Sequence, residues 1–378
     1  MVVYNFYIRE LGLPQNVNGE IIALTALATA MILVPAGVLS DQVGRKKVMA
    51  VGVFIGGLIL AIRSLVEMES FLLGTGFATG ISLAFFQVSI IPWLAENSGP
   101  KQRIHLFSLH SAVMMAANVI GNLLGGGLTD FFSIFTTELL SIRYTLIFGS
   151  LFYFIALFPI LKMQERSKPI KVKKEKRNIK EFVGKNKTGF KIIVLFAVAQ
   201  LIIGTGSGLV IPYLNLYFAD RFEASTSAIG LIIALGQAAT AVAMFIGPLV
   251  VKRIGEVRAV VTLQLLSLPF LLLTAYTTNI YLASVGFLFR QALMNAGNPI
   301  QSSLMMSKVD DSVKGLANSV NQMVFQLGWA FMGPVSTGIV LRYGSYWGYA
   351  NVFVITAGIY LVGSLYFFIV FRSLKTEE

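Results

Sequence analysis

The sequence has no cysteine among its 378 residues and only two histidines. Disulfide cross-links, thiol chemistry and cysteine-based metal sites are therefore excluded. Charge is scarce too: 13% of residues are charged, against roughly 25% in soluble domains, and 56% are apolar, against roughly 45–50%. Such a chain is neither a disordered segment nor a secreted disulfide scaffold. Its net charge of +12 lies between apolar blocks and not on one soluble face, so nucleic-acid binding is excluded. No glycine-rich loop ends in Gly-Lys-Ser/Thr, which leaves ATP-driven transport without support; Gly204, Gly206 and Gly208 fall inside an apolar run, where they serve packing. With no His-Glu-x-x-His pair and no nucleophile elbow, no enzyme activity, cofactor or metal is predicted.

What the chain has instead is eleven windows of about 18 residues or more with at most one charge, each long enough to cross a hydrocarbon core of about 30 Å. They centre on residues 21–39, 48–62, 71–95, 106–128, 144–161, 192–218, 228–251, 259–278, 280–307, 315–341 and 349–371. Backbone groups in lipid must be bonded within their own segment or in a closed barrel, and these segments are too long and too uniformly apolar for barrel strands. Helices follow. A stub at residues 1–8 reads as the tail of one more.

Basic residues sort by side. Placed alternately, 24 Lys and Arg fall on one face of the membrane, twelve of them between Lys162 and Lys191, while Arg9, Arg63, Arg143, Arg221 and Arg342 fall on the other and Arg290 lies inside a span. Cytoplasmic loops retain positive residues, so the C-terminus and the basic linker at 164–190 are predicted to be cytoplasmic in a multi-pass cell-membrane protein. The linker is read as a topology lock resting on anionic lipid.

The chain also repeats itself. Gly19-Glu-Ile-Ile-Ala-Leu24 recurs as Gly230-Leu-Ile-Ile-Ala-Leu235, and Ala28-Thr-Ala30 as Ala239-Thr-Ala241, 211 residues on; Gly76-Phe77 matches Gly286-Phe287, and Asn5 and Tyr7 match Asn215 and Tyr217, at 210. Repeats of this kind are the expected build of secondary transporters. The offset predicts about 19 residues of first helix ahead of Met1.

The sharpest motif is Gly37-Val-Leu-Ser-Asp41-Gln-Val-Gly44-Arg45-Lys46-Lys47. It resembles, at every fixed position, the G-x-L-x-D-x-x-G-R-K/R-K/R loop of the major facilitator superfamily. Gly37 permits close packing, Gly44 a short turn, and the basic triplet holds the loop on the cytoplasmic side. The resemblance implies that Asp41 latches the two halves together, with Arg45 or the start of the helix near Lys314 as partner. Glu96 and Arg103 resemble the family's second cytoplasmic charge pair. The second half keeps Gly247, Leu249, Lys252, Arg253 and Gly255 but has Val251 in place of the acid, so this latch is one-sided. Ala117-x-x-x-Gly121-Asn122-x-x-Gly125-Gly126 is close to the G-x-x-x-G-P-x-x-G-G motif of proton-driven drug antiporters, without its first Gly and Pro.

Arg290 is the one charge near the middle of a long span, and burying a lone guanidinium is expensive. Gln291, Asn295, Asn298 and Ser302 share one helical face beside it, and Asn318, Gln322, Gln326 and Trp329 make a second polar stripe. Two such stripes are expected to line a wet central cavity, with Tyr213, Asn215, Tyr217, Gln200 and Gln87 as further lining; His110 is read as a packing residue. No carboxylate occupies the core of a complete span.

The expected fold is therefore an all-α membrane protein of two six-helix bundles related by a pseudo-twofold axis, residues 1–163 and 191–378, with eleven full spans, a truncated first helix and the linker between. The resemblance implies alternating access, with a small-molecule substrate and protons as coupling ion, in a monomer that exports a drug or metabolite. Uptake of a sugar or organic anion is the alternative that Arg290 favours, and a channel or non-transporting receptor is the alternative of another class.

Overall fold

The computed structural model describes residues 2–97, 100–163, 187–309 and 314–372; most of the basic linker lies outside them. Every regular element among these residues is helical. The first half comprises α1 (Val2–Glu10), α2 (Gln15–Val43), α3 (Arg45–Arg63), α4 (Glu69–Glu96), α5 (Pro100–Ser133) and α6 (Glu138–Lys162). In the second are α7 (Lys187–Val210), α8 (Leu214–Phe222), α9 (Thr226–Ile254), α10 (Glu256–Tyr276), α11 (Ile280–Ala296), α12 (Asn298–Lys308) and α13 (Lys314–Phe371).

Length and composition alone make seven helices among the described residues fit to cross a membrane: Asn16–Ser40, Glu69–Leu94, Glu138–Lys162, Thr188–Phe222, Thr226–Ile254, Glu256–Tyr276 and Leu316–Phe371. The last stands for two crossings. At 1.5 Å per residue its 56 residues reach roughly 84 Å, nearly three times a core of about 30 Å. Gly344 divides it, with φ 76° and ψ 177°, a left-handed conformation open to glycine, and beyond that turn Gly348 comes back against Val340.

Two predicted spans are each broken once. Residues 192–218 cross as α7 and α8, joined by a 3-10 turn at Ile211–Tyr213 that contains Pro212. Residues 280–307 divide into α11 and α12 at Gly297, where Pro299 follows within the first turn of α12. Proline lacks the amide that would continue the ladder and crowds the preceding turn.

Within the first half α4 packs on α2 and α3, and α6 on α3 and α5; within the second α13 packs on α7 and α10, and α11 on α9 and α10. Among the described residues two pairs make the main joints between the halves, α2 with α13 and α5 with α9, and α1 also meets α8 and α9. The 211-residue offset carries α2 onto α9 and α5 onto the first part of α13, so the two joints exchange under the pseudo-twofold. Large apolar side chains such as Phe245 (83% exposed) and Tyr281 (78%) point outward, as a lipid-facing surface requires.

Candidate functional site

The halves meet most closely where α2 begins. A Cβ on Gly19 would stand 2.7 Å from the carbonyl oxygen of Gly333, and one on Gly230 would stand 2.5 Å from that of Asn122. These are one contact made twice, since 211 residues separate Gly19 from Gly230 and Asn122 from Gly333. Backbone meets backbone there, which only small residues permit.

Polar contacts close the same end. Asn5 Nδ2 donates to Asn215 Oδ1 at 2.8 Å and to the Pro212 carbonyl at 2.7 Å. Asn5 and Asn215 are repeat counterparts, so the pseudo-axis passes between them. Arg9 Nη1 lies 3.2 Å from Asp220 Oδ1, and the Tyr349 hydroxyl donates to Asp220 Oδ2 at 2.8 Å. Asp130 Oδ2 accepts from the Ser227 amide at 2.9 Å, so an acid from α5 sits on the positive end of α9. Among the described residues, the hydrogen bonds that join the halves gather at this end.

The five arginines that sort away from the basic face belong here as well. Arg9 pairs with Asp220, and Arg143 with Glu67. Arg221 donates to the carbonyls of Ala275 (2.6 Å) and Thr277 (2.9 Å), satisfying the end of α10, and lies 4.1 Å from the Tyr346 ring. Arg342 faces Tyr343. Arg63 turns inward from the end of α3, 94% buried, its guanidinium carbon 3.5 Å from the centre of the Tyr4 ring and Nη1 3.3 Å from Thr79 Oγ1.

The residues singled out from sequence take varied places. Arg290 is buried, with Nη2 donating to the Tyr360 hydroxyl at 2.7 Å while Nε and Nη1 meet no acceptor. Gln291 is buried beside it with an unpartnered Oε1. Asn295, half-buried, donates to the Gln291 carbonyl and accepts from the exposed Asn298. Gln322 is exposed and Gln326 half-buried, as are Gln87 and Gln200 respectively. Between Asn318 and Gln322, Asn321 is the buried member, donating to Met305 Sδ. Trp329 donates to Ser207 at 2.7 Å. Tyr213 and Asn215 are buried at the closed end, Tyr213 donating to the Gly333 carbonyl at 3.3 Å. His110 is half-buried.

At the signature loop, Gly44 has φ 112°, the conformation its turn requires. Arg45 is half-buried, and a Cβ on Gly37 would meet nothing within 4 Å. The side chains of Asp41, Glu96 and Arg103 lie outside the described residues. Part of the antiporter-like stripe meets the opposite half: Asn122 supports Gly230 and Gly126 lies against the Thr226 carbonyl, while Gly125 faces Val3 of its own half and Gly121 meets nothing within 4 Å.

Sequence reasoning missed the Arg9–Asp220–Tyr349 bridge and the inward turn of Arg63. The near-constant repeat offset marked Asn5 and Asn215 but did not say that they bond to each other.

The family model for the Major Facilitator Superfamily matches residues 1–201 and 196–378. An uncharacterized transporter of this type from Methanocaldococcus jannaschii is 25% identical over 363 residues, covering 93% of this chain and 90% of its own length. Multidrug resistance protein 1 of Bacillus subtilis is 27% identical over 346 residues, covering 88% and 82%. Among solved structures, a bacterial homologue of the human lysosomal transporter Spinster, inward-facing and unoccupied, superimposes with a TM-score of 0.78 at 15% identity, covering 98% of this chain and 92% of that one. The nucleoside transporter NupG gives a TM-score of 0.74 at 15% identity, covering 98% and 94%. With its full length matched by the family model and its helices arranged as in these structures, the chain belongs to the major facilitator superfamily.

Proposed function

We propose that this transporter moves a small organic solute across the cell membrane by alternating access and exports a drug or metabolite in exchange for protons running down their gradient. The observation that carries alternating access is the seam: two backbone-to-backbone contacts exchanged by the pseudo-twofold, with polar links gathered at one end. Halves held this way part by tilting, without disrupting either bundle. The basic residues lie toward the opposite end, and on the positive-inside rule the sealed end is then the outer one.

Export draws on the antiporter-like stripe of α5 and on the curated relatives from Bacillus subtilis and Citrobacter koseri, which are named multidrug resistance proteins. Uptake of a sugar or organic anion is the second reading, favoured by the buried guanidinium of Arg290. The substrate set carried into these proposals is Arg290, Gln291, Asn295, Asn298, Gln322, Gln326, Tyr213, Asn215 and Gln87.

Inside-out vesicles with an acid interior test the direction, using carboxyfluorescein as an anionic dye and ethidium as a cationic one. Export predicts saturable accumulation of at least one dye, abolished by a protonophore. Accumulation only in right-side-out vesicles would favour uptake, flux without saturation would favour a channel, and no movement of either dye would remove the export reading.

A further inference from the structure

Two arginines are buried without a counter-charge, one in each half. Arg63 is 6% exposed and Arg290 2% exposed, and among the described residues neither stands within ion-pair distance of a carboxylate. Each faces a tyrosine ring, Arg63 that of Tyr4 at 3.5 Å and Arg290 that of Tyr360 at 5.4 Å. Each also keeps idle donors: Arg63 Nε, with the Tyr4 hydroxyl beside it, and Arg290 Nε and Nη1. The rings offset part of the desolvation, but a ring face accepts few of the in-plane N–H bonds of a guanidinium.

The two charges come from different helices, but the guanidinium of Arg63 ends close to the repeat counterpart of Arg290. Arg63 reaches in from α3 to Thr79 on α4, and Thr79 lies within one residue of the repeat counterpart of Arg290, since the Gly-Phe match on these two helices is at 210 and Thr79 to Arg290 is 211. Thr79 is ten residues past the start of α4, and Arg290 ten past the start of α11. At 1.5 Å per residue, Thr79 and Arg290 lie about 15 Å below the sealed face, near the middle of a core about 30 Å thick, and the Arg63 guanidinium extends from the end of α3 toward that level.

We infer that Arg63 and Arg290 are paired anchors for an organic anion, each half presenting one guanidinium and one tyrosine ring to a solute with a carboxylate or phosphate group on an apolar body. Two unpaired cations at this depth repel most other cations and reward any anion that reaches their idle donors with charge-assisted hydrogen bonds. This deepens the transport reading by naming the class of solute, and it rests on that reading only for the solute's being carried; recognition needs neither a direction nor a proton.

Calorimetric titration of the full chain in detergent tests it with a matched set of probes: terephthalate with two carboxylates, benzoate with one, and benzamidine as a cation of benzoate's shape. Terephthalate and benzoate are expected to bind and benzamidine not. Arg63→Gln and Arg290→Gln are each expected to weaken benzoate or terephthalate by about tenfold to a hundredfold, the loss of one or two hydrogen bonds to a charged group. Should either glutamine variant fail to fold, Arg63→Lys and Arg290→Lys keep the charge but lose the fork, and a severalfold loss of affinity is expected from them. Benzamidine binding as tightly as benzoate, no binding by either carboxylate, or full affinity in the variants at both positions would overturn the assignment. Anion binding without proton-driven export would overturn the export reading and leave this one standing.

Discussion

Replacing Asp220 with Asn tests whether the closed end is held by charge. Asp220 accepts from Arg9 at 3.2 Å and from Tyr349 at 2.8 Å, and its side chain is 15% exposed. Asparagine fills the same space with one acceptor in place of two and no charge, so one of the two bonds goes. The Arg9 side chain is 37% exposed, and solvent screening reduces the pair from a buried ion pair toward the surface value of about 0.2–1 kcal/mol. A hydrogen bond to a charged group contributes about 1.5–3 kcal/mol when buried. Discounting between the two, the substitution shifts the closed-to-open balance by about 1–2 kcal/mol, or about five- to thirtyfold in population. The chain has no cysteine, so single labels go where they are wanted. Spin labels at Ile134 and Tyr281, 73% and 78% exposed beside this end in opposite halves, report its opening as a growing long-distance population in pulsed-dipolar spectra. Added salt should move the unsubstituted protein the same way to a smaller extent. An unchanged distance distribution in Asp220→Asn, at low salt and high, would refute the idea that this pair holds the end shut.

Gly333→Ala pushes a methyl into the Gly19 backbone, and overpacking of this kind costs about 1–3 kcal/mol; the same labels should show a wider end, whereas Gly338→Ala, with nothing within 4 Å, should leave it unchanged. Asn5→Ala takes the donor from Asn215 Oδ1 and the Pro212 carbonyl, and at about 1–3 kcal/mol per unmet buried group it should lower the unfolding temperature in detergent; an unaltered Tm would show that the pair is not stabilising. Asp41→Asn should slow turnover and leave equilibrium binding of the same solute within about twofold, a difference below 0.5 kcal/mol; equal loss of both would place Asp41 in binding and not in the latch.

Much of the architecture was legible because the membrane enforces it. Lipid demands long apolar helices, so the spans could be bounded from composition, and the sorted arginines located the turns that Arg9, Arg63, Arg143, Arg221 and Arg342 occupy. Pro212 and Pro299 marked the two broken spans but were absorbed into runs whose hydropathy hardly falters. The polar stripes gave periodicity without direction: Asn318 and Gln322 were read as the cavity face and are exposed, and exposure does not tell a cavity from lipid, while Asn321 between them is buried. Arg63 was hidden for a different reason. At the end of its span it reads as a loop residue, and its inward turn depends on Thr79 and Tyr4, supplied by two other helices. The bridge of Arg9 to Asp220 joins residues 211 apart that share no motif, so only the closed seam brings them together.

The glycine contacts come as a matched pair, but the bridge does not: at the repeat offset of 210, Asp220 answers to Glu10 and Arg9 to Ala219. Pivot and bolt thus stand apart, one repeated and one single. The repeat presents the bearing surface twice over, and any change on one side of it must suit the other or the swing becomes lopsided. The bolt was fitted once, so drift at Arg9, Asp220 or Tyr349 resets how long this end stays shut and leaves the path of its travel alone.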